Sequence, residues 1–224
     1  MRVGGLPWQK PGDVAAIPPS AMTGKILCDR HNSRLSSLDA LAGQFFGTLN
    51  AIHAACTDGG PAASALSLQI DGHDLERVFL KILLGGAASG NLRGPGGAFL
   101  GANVDTLFLK VLFGERELSA PAGLYLLGEP NRPWLVERDI EVAAVALAGE
   151  PVAIIVNIAP LRFALALTPE GRNTQILAGK SFFRPAAITV SGPNGINHKI
   201  VFRWEGGADN SHVTVGYIAE PPAK

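Results

Sequence analysis

A chain of 224 residues, 47% apolar and 17% charged, is long enough to bury a full core and too apolar to be disordered. Nineteen basic residues balance nineteen acidic ones. That excludes a global electrostatic pull toward nucleic acid, leaves local basic patches open, and favours a homo-oligomer through weak colloidal repulsion. Two cysteines exclude a disulfide scaffold and point to a reducing, cytoplasmic compartment.

The first twenty residues, MRVGGLPWQKPGDVAAIPPS, contain no apolar signal-peptide core. Residues 1–24 carry Pro7, Pro11, Pro18 and Pro19 and read as an extended arm. Next comes KILCDRHNSRLSSLDALAGQFF, residues 25–46, in which Cys28 and His31 stand three apart. Cys-x-x-His is a metal-ligand spacing when a tight knuckle turn aims both side chains at one point. Behind it Ser36 or Ser37 can cap a helix, with Asp39 completing a relative of the capping box. Leu38, Leu41, Phe45, Leu49, Ile52 and Cys56 then recur at helical spacing, which predicts a helix over 37–56. Phe46 widens its apolar face, so two neighbours are expected: the next helix, and either the strands or a second copy.

LSLQIDG (66–72) alternates as a strand, and Asp74 stands ready to cap a helix over 74–88 with Leu75, Phe79, Ile82 and Leu83 on one face. A Gly-rich loop over 85–101 leads to a short helix at 104–113. From Gly123 the pattern changes to strands near 123–127, 140–148, 152–158, 162–168, 186–191, 198–204 and 212–218, with turns at TPEGRN, SGPNGIN and EGGADN. The apolar tract 142–167 is broken by Glu150, Pro151, Asn157, Pro160 and Arg162, so it reads as buried strands and not as a membrane span. The expectation is an α+β protein: an N-terminal arm with a zinc-knuckle-like turn and helices, then a mainly antiparallel β-sheet region. A division at 1–60 and 61–224 fits this order, as does one continuous domain.

Two glycine clusters imitate nucleotide sites. LAGKS (177–181) has Thr174 where a phosphate loop needs its first glycine, and GPGGAF (94–99) has Phe99 at the third glycine position of a dinucleotide fingerprint. A four-ligand site joining Cys28 and His31 to His53 and Cys56 fails on geometry. One helix rising about 1.5 Å per residue carries His53 more than ~20 Å from the knuckle. Cys56 then belongs to the core, and His53 is a surface or satisfied histidine. His73 marks a helix start, while His198 and His212 begin late strands in structural roles. Asp71, Asp74, Glu76 and Asp105 cluster where helices begin and read as caps.

ILCDRHNSRLSSLDALAGQFF resembles the second half of the HNH-type, ββα-metal endonuclease fold, in particular bacterial proteins with a Cys-x-x-(Cys/His)-Asn knuckle followed by Leu-Ser-x-Leu-Asp. LERVFLKILL (75–84) resembles a Leu-Glu-Arg helix of the same group. The resemblance implies that Cys28 and His31 hold half of a zinc site and that Asn32 matches the family's asparagine. Complete members carry a Cys pair and a catalytic histidine upstream, and residues 1–27 contain neither residue type. No catalytic residue is therefore assigned, and the cofactor expectation is none, or zinc. The reading that follows is a non-catalytic, HNH-derived protein that binds a protein or nucleoprotein partner, conceivably as a phage or mobile-element inhibitor of a nucleic-acid-targeting system. Lys25, Arg30, Asn32 and Arg34 are the candidates for partner or phosphate contact. One alternative is a metal-dependent nuclease whose site is completed by a dimer partner. Another is a small-molecule binding domain with its pocket between the strands and the helix at 74–88.

Overall fold

The computed structural model describes residues 2–4, 14–16, 28–57, 64–89, 105–128, 140–148, 150–172, 181–192, 195–206 and 211–216. In the arm, β1 (Arg2–Gly4) and β2 (Val14–Ala16) pair antiparallel, so these parts are strands where a plain extended arm was expected.

Helix α1 (Asp29–Arg34) is followed by α2 (Ser36–Thr57). Leu35 separates them with φ −102° and ψ 4°, and its fully buried side chain plugs the core at the joint. Ser36 is the first residue of α2 and bonds back to the carbonyl of Ser33, so neither expected serine cap forms. On α2, Leu38, Phe45, Leu49, Ile52 and Cys56 are buried, as the helical spacing requires.

Strand β3 (Ser67–Asp71) runs straight into α3 (Gly72–Ala88). The cap is Asp71, whose carboxylate accepts from the Asp74 amide at 3.0 Å; the expected cap, Asp74, instead pairs with Arg77. Helix α4 (Thr106–Leu112) begins on Asp105, which does act as its cap. The expected neighbour of α2 is confirmed: it packs on α3, and Lys81 Nζ reaches Asp39 at 2.6 Å.

The remaining strands are β4 (Gly123–Leu127), β5 (Ile140–Leu147), β6 (Glu150–Ile158), β7 (Leu161–Ala166), β8 (Ser181–Phe183), β9 (Ala187–Ser191), β10 (Asn197–Arg203) and β11 (His212–Gly216). TPEGRN folds as a single helical turn, α5 (Pro169–Arg172). Five strands form an all-antiparallel sheet in the order β5-β6-β7-β4-β8. Four form a mixed sheet, β11-β9-β10-β3, in which β3 runs parallel to β10 and β11 parallel to β9. The α+β class stands, with these two parallel pairs as the departure from antiparallel order.

The five-stranded sheet buries both faces by strict alternation. Leu124, Leu126, Ile154, Val156, Phe163 and Leu165 face the helices, while Tyr125, Ile155, Ala164 and Ala166 form a second cluster behind. Phe163 is the keystone, meeting the rings of Phe45 and Phe79 edge-on at 5.7 and 5.9 Å. One apolar core thus joins α2, α3 and strands of both sheets. No helix among the described residues is long and apolar enough to cross a membrane.

Candidate functional site

The Cys-x-x-His stretch is one turn of helix and not a knuckle. Cys28 is the N-cap residue of α1, and the Asn32 amide donates to its carbonyl at 2.9 Å. Residues three apart on a helix share a face, so Cys28 Sγ lies 3.2 Å from His31 Nδ1, a hydrogen-bond contact on an exposed surface. His53 and Cys56 are buried on the unbroken helix α2, far from this pair. Among the described residues no group of three or more His, Cys, Asp or Glu is placed to hold a metal. Cys28 and His31 therefore offer two donors where a tetrahedral zinc site needs three or four.

All six residues of α1 are exposed and none packs into the core. The helix is held from one side by Phe113, which ends α4: the His31 ring is 5.4 Å from its ring, and the Arg34 guanidinium lies over it at 5.1 Å. On α4, Val111 and Leu112 are buried, whereas Leu107 and Leu109 are 36% and 41% exposed beside the exposed Lys110. Leu109 and Phe113 are four residues apart and so lie on one side of the helix. Arg30, Asn32 and Arg34 are all exposed on α1; Arg30 and Arg34, four apart, share one side of it, and Asn32 points away from them. Lys25 and the glycine clusters at 94–99 and 177–180 lie outside the described residues.

A second polar cluster sits inside, centred on Glu76, which sequence reasoning assigns to a cap. Glu76 is buried, and both of its oxygens are engaged. Oε1 accepts from the Leu124 amide at 2.8 Å and from Arg184 Nε at 2.9 Å; Oε2 accepts from Arg184 Nη2 at 3.0 Å and faces His73 Nδ1 at 3.4 Å. Arg184 also donates to the Leu118 carbonyl at 2.7 Å and stacks between Phe183 and Trp204. Its φ of 40° is uncommon for a residue with a side chain, and this forked pairing holds it there.

Two glycines make room. A Cβ on Gly72 would stand 2.5 Å from the Trp204 indole, and one on Gly123 would stand 2.8 Å from Glu76 Oε1. The cluster ties α3, β4, the segment after α4 and the turn after β8 to one carboxylate. Outside it opens a polar cleft of about 200 Å³, lined by His73, Asp74, Arg77, Arg116, Glu117 and Glu205 among others.

His73 is mostly buried, with its ring edge against Trp204 at 5.3 Å. The hydrogen bond to Glu76 raises its pKa above the ordinary histidine value, against the opposing effect of burial; the Glu205 carbonyl also raises it, and the Arg184 charge lowers it. His198 behaves oppositely: burial lowers its pKa, and its Nδ1 accepts the Leu66 amide at 3.1 Å, as a neutral ring can. That structural role for His198 matches the expectation. His212 begins β11 on the surface. Burial also pushes the Cys56 thiol up, in keeping with its place in the core.

The sequence signal for Glu76 is indirect. A carboxylate on a helix buried on most of its sides must have a cation, but the partner is 108 residues away and nothing local announces it. A carboxylate with every acceptor position occupied has no lone pair to spare for proton abstraction, so the inner cluster is built for holding segments together. No family model matches the chain, and no curated protein or solved structure matches it either.

Proposed function

We propose that this chain is a non-catalytic, HNH-derived protein that binds another protein through the face formed by α1 and the outer side of α4. The observation that carries it is a helix with every side chain exposed and none in the core, resting on Phe113 at the end of a short helix that itself exposes Leu107 and Leu109. The helix is tied down at its edge, by Phe113 and by the buried Leu35 at its end, and exposed apolar side chains near arginines are a composition found in protein interfaces.

Charge favours a protein partner over nucleic acid. On α1 and α4 and just after α4, the exposed Arg30, Arg34, Lys110 and Arg116 are matched in number by the exposed Asp29, Asp105, Glu115 and Glu117. A face with balanced charge gives no counterion-release gain on a phosphate backbone. An inhibitor of a nucleic-acid-targeting system in a cytoplasmic setting is the biological context that this reading suggests.

A photo-crosslinking residue at position 109, compared with one at the exposed Lys199, tests the proposal in cells of the source organism. An adduct with one protein specific to position 109 is expected; an adduct between two copies makes the chain its own partner. Capture of nucleic acid at 109 overturns the reading. So does cleavage of DNA or RNA with Mg²⁺, Mn²⁺ or Zn²⁺ that disappears in His31→Ala, because that result belongs to the nuclease alternative.

A further inference from the structure

His73 is surrounded by acceptors. Nδ1 faces Glu76 Oε2 at 3.4 Å; Nε2 faces the Glu205 carbonyl at 3.0 Å and Glu117 Oε2 at 3.5 Å. A neutral imidazole carries one N–H, so one of these directions would set a lone pair against a lone pair. Only the imidazolium donates both ways. Nδ1 points to Glu76, on α3 with His73 itself, whereas Nε2 points to two other segments, Glu117 after α4 and Glu205 after β10.

We propose that His73 is a pH-operated latch: as an imidazolium it holds Glu76 through Nδ1 and fastens the Glu205 carbonyl and the Glu117 carboxylate to the first turn of α3 through Nε2, and on losing the Nε2 proton while Nδ1–H stays on Glu76 it releases both and loosens the cleft. The groups facing it are Glu76, with Asp74 and Arg77 on the same helix, Glu117 after α4, the Glu205 backbone after β10, and Arg184 after β8, whose positive charge opposes protonation. Geometry and electrostatics point the same way, because the carboxylate and carbonyl contacts raise the pKa against burial and Arg184.

The sign follows from that direction. The folded protein binds this proton more tightly than the unfolded chain. The stabilisation is therefore complete below the unfolded value and is lost as pH rises through the folded one. Release should be felt first by Trp204, whose ring meets the imidazole edge and whose indole Nε1 donates to the Pro185 carbonyl at 3.0 Å.

The test uses the full chain with Trp8 and Trp134 replaced by Phe, so that Trp204 is the one remaining tryptophan and is excited apart from the two tyrosines at 295 nm or above. A protonated imidazole quenches a neighbouring indole. Trp204 emission should therefore rise with a midpoint above the ordinary histidine pKa, and the step should vanish in His73→Gln. On wild type, amide exchange at residues 204–206, corrected for the intrinsic rate, should accelerate through the same midpoint. A midpoint at or below the ordinary value, a step that survives in His73→Gln, or exchange that ignores pH each overturns the latch. The wild-type exchange measurement decides the matter alone should His73→Gln fold poorly.

Discussion

Two polar clusters of this protein invite opposite conclusions from sequence and from structure. Cys28 and His31 carry a recognisable spacing, lie on the surface, and have side chains that meet one another and, through His31, Phe113. Glu76, His73 and Arg184 carry no recognisable spacing, lie inside and bind four segments of chain together. The difference teaches that a motif reports local geometry alone. The energetic weight of a polar group depends on how much water it has lost and how many partners replaced it.

The sharpest way to break this comparison is Glu76→Ala. It strands the Arg184 guanidinium in the core, and losing one partner of a buried pair costs about 3–5 kcal/mol. Chemical denaturation should show that loss. Replacing both residues by apolar ones of similar size should cost less than either single change, because no buried charge then remains. If Glu76→Ala melts like wild type, the inner cluster is not the lock described above.

Phe45→Ala supplies the apolar scale for the same comparison. Phe45 is fully buried against Phe163, and deleting such a ring costs about 3–5 kcal/mol. Phe46 is half-buried and packs against the core at its margin, with its ring 5.8 Å from that of Phe45. Phe46→Ala should therefore cost clearly less. A drop in sedimenting mass at near-equal stability would mark Phe46 as part of a contact between copies.

Gly72→Ala comes next, since the added methyl must displace the Trp204 indole from 2.5 Å. Overpacking of this kind costs about 1–3 kcal/mol. The Trp204 emission maximum should move as the ring is pushed outward.

The smallest effect is expected at the motif itself. Cys28→Ser and His31→Ala, both exposed, should each change stability by less than about 0.5 kcal/mol. Elemental analysis of the wild-type protein should give less than one zinc per chain. One tightly held zinc would reverse the comparison and make the surface pair the anchor.

Legibility followed the reach of each signal. Helices α2 and α3 and the order of β4 to β7 were readable because apolar period and turn residues act within a few positions. The cap of α3 was misplaced by three residues because Asp71 and Asp74 are equally suited and only the packing of Gly72 beneath Trp204 selects between them. Strand β8 was missed because three residues carry too little pattern. The parallel pairing of β3 with β10 is a long-range choice that no local window contains. Of the proposed face, the sequence offers Lys25, Arg30, Asn32 and Arg34 as candidates, of which Lys25 lies outside the described residues. Leu107, Leu109 and Phe113 are not among them, since an outward leucine and an inward one look alike in a short helix.

The parallel pairing of β3 with β10 also has a consequence for how the chain is made. The Leu66 amide and its acceptor on His198 are 132 residues apart, and the same separation divides His73 from Glu205. At roughly 5–20 residues per second, a ribosome needs on the order of ten seconds to deliver the second member of each pair. During that interval β3 lacks its hydrogen-bonding neighbour, and the first turn of α3 waits uncovered. Helices α2 and α3 can already pack on each other, so the nascent protein has a half-built core with β3 unpaired on the side that β10 will cover. That edge is an aggregation hazard, and a natural point for a chaperone to intervene.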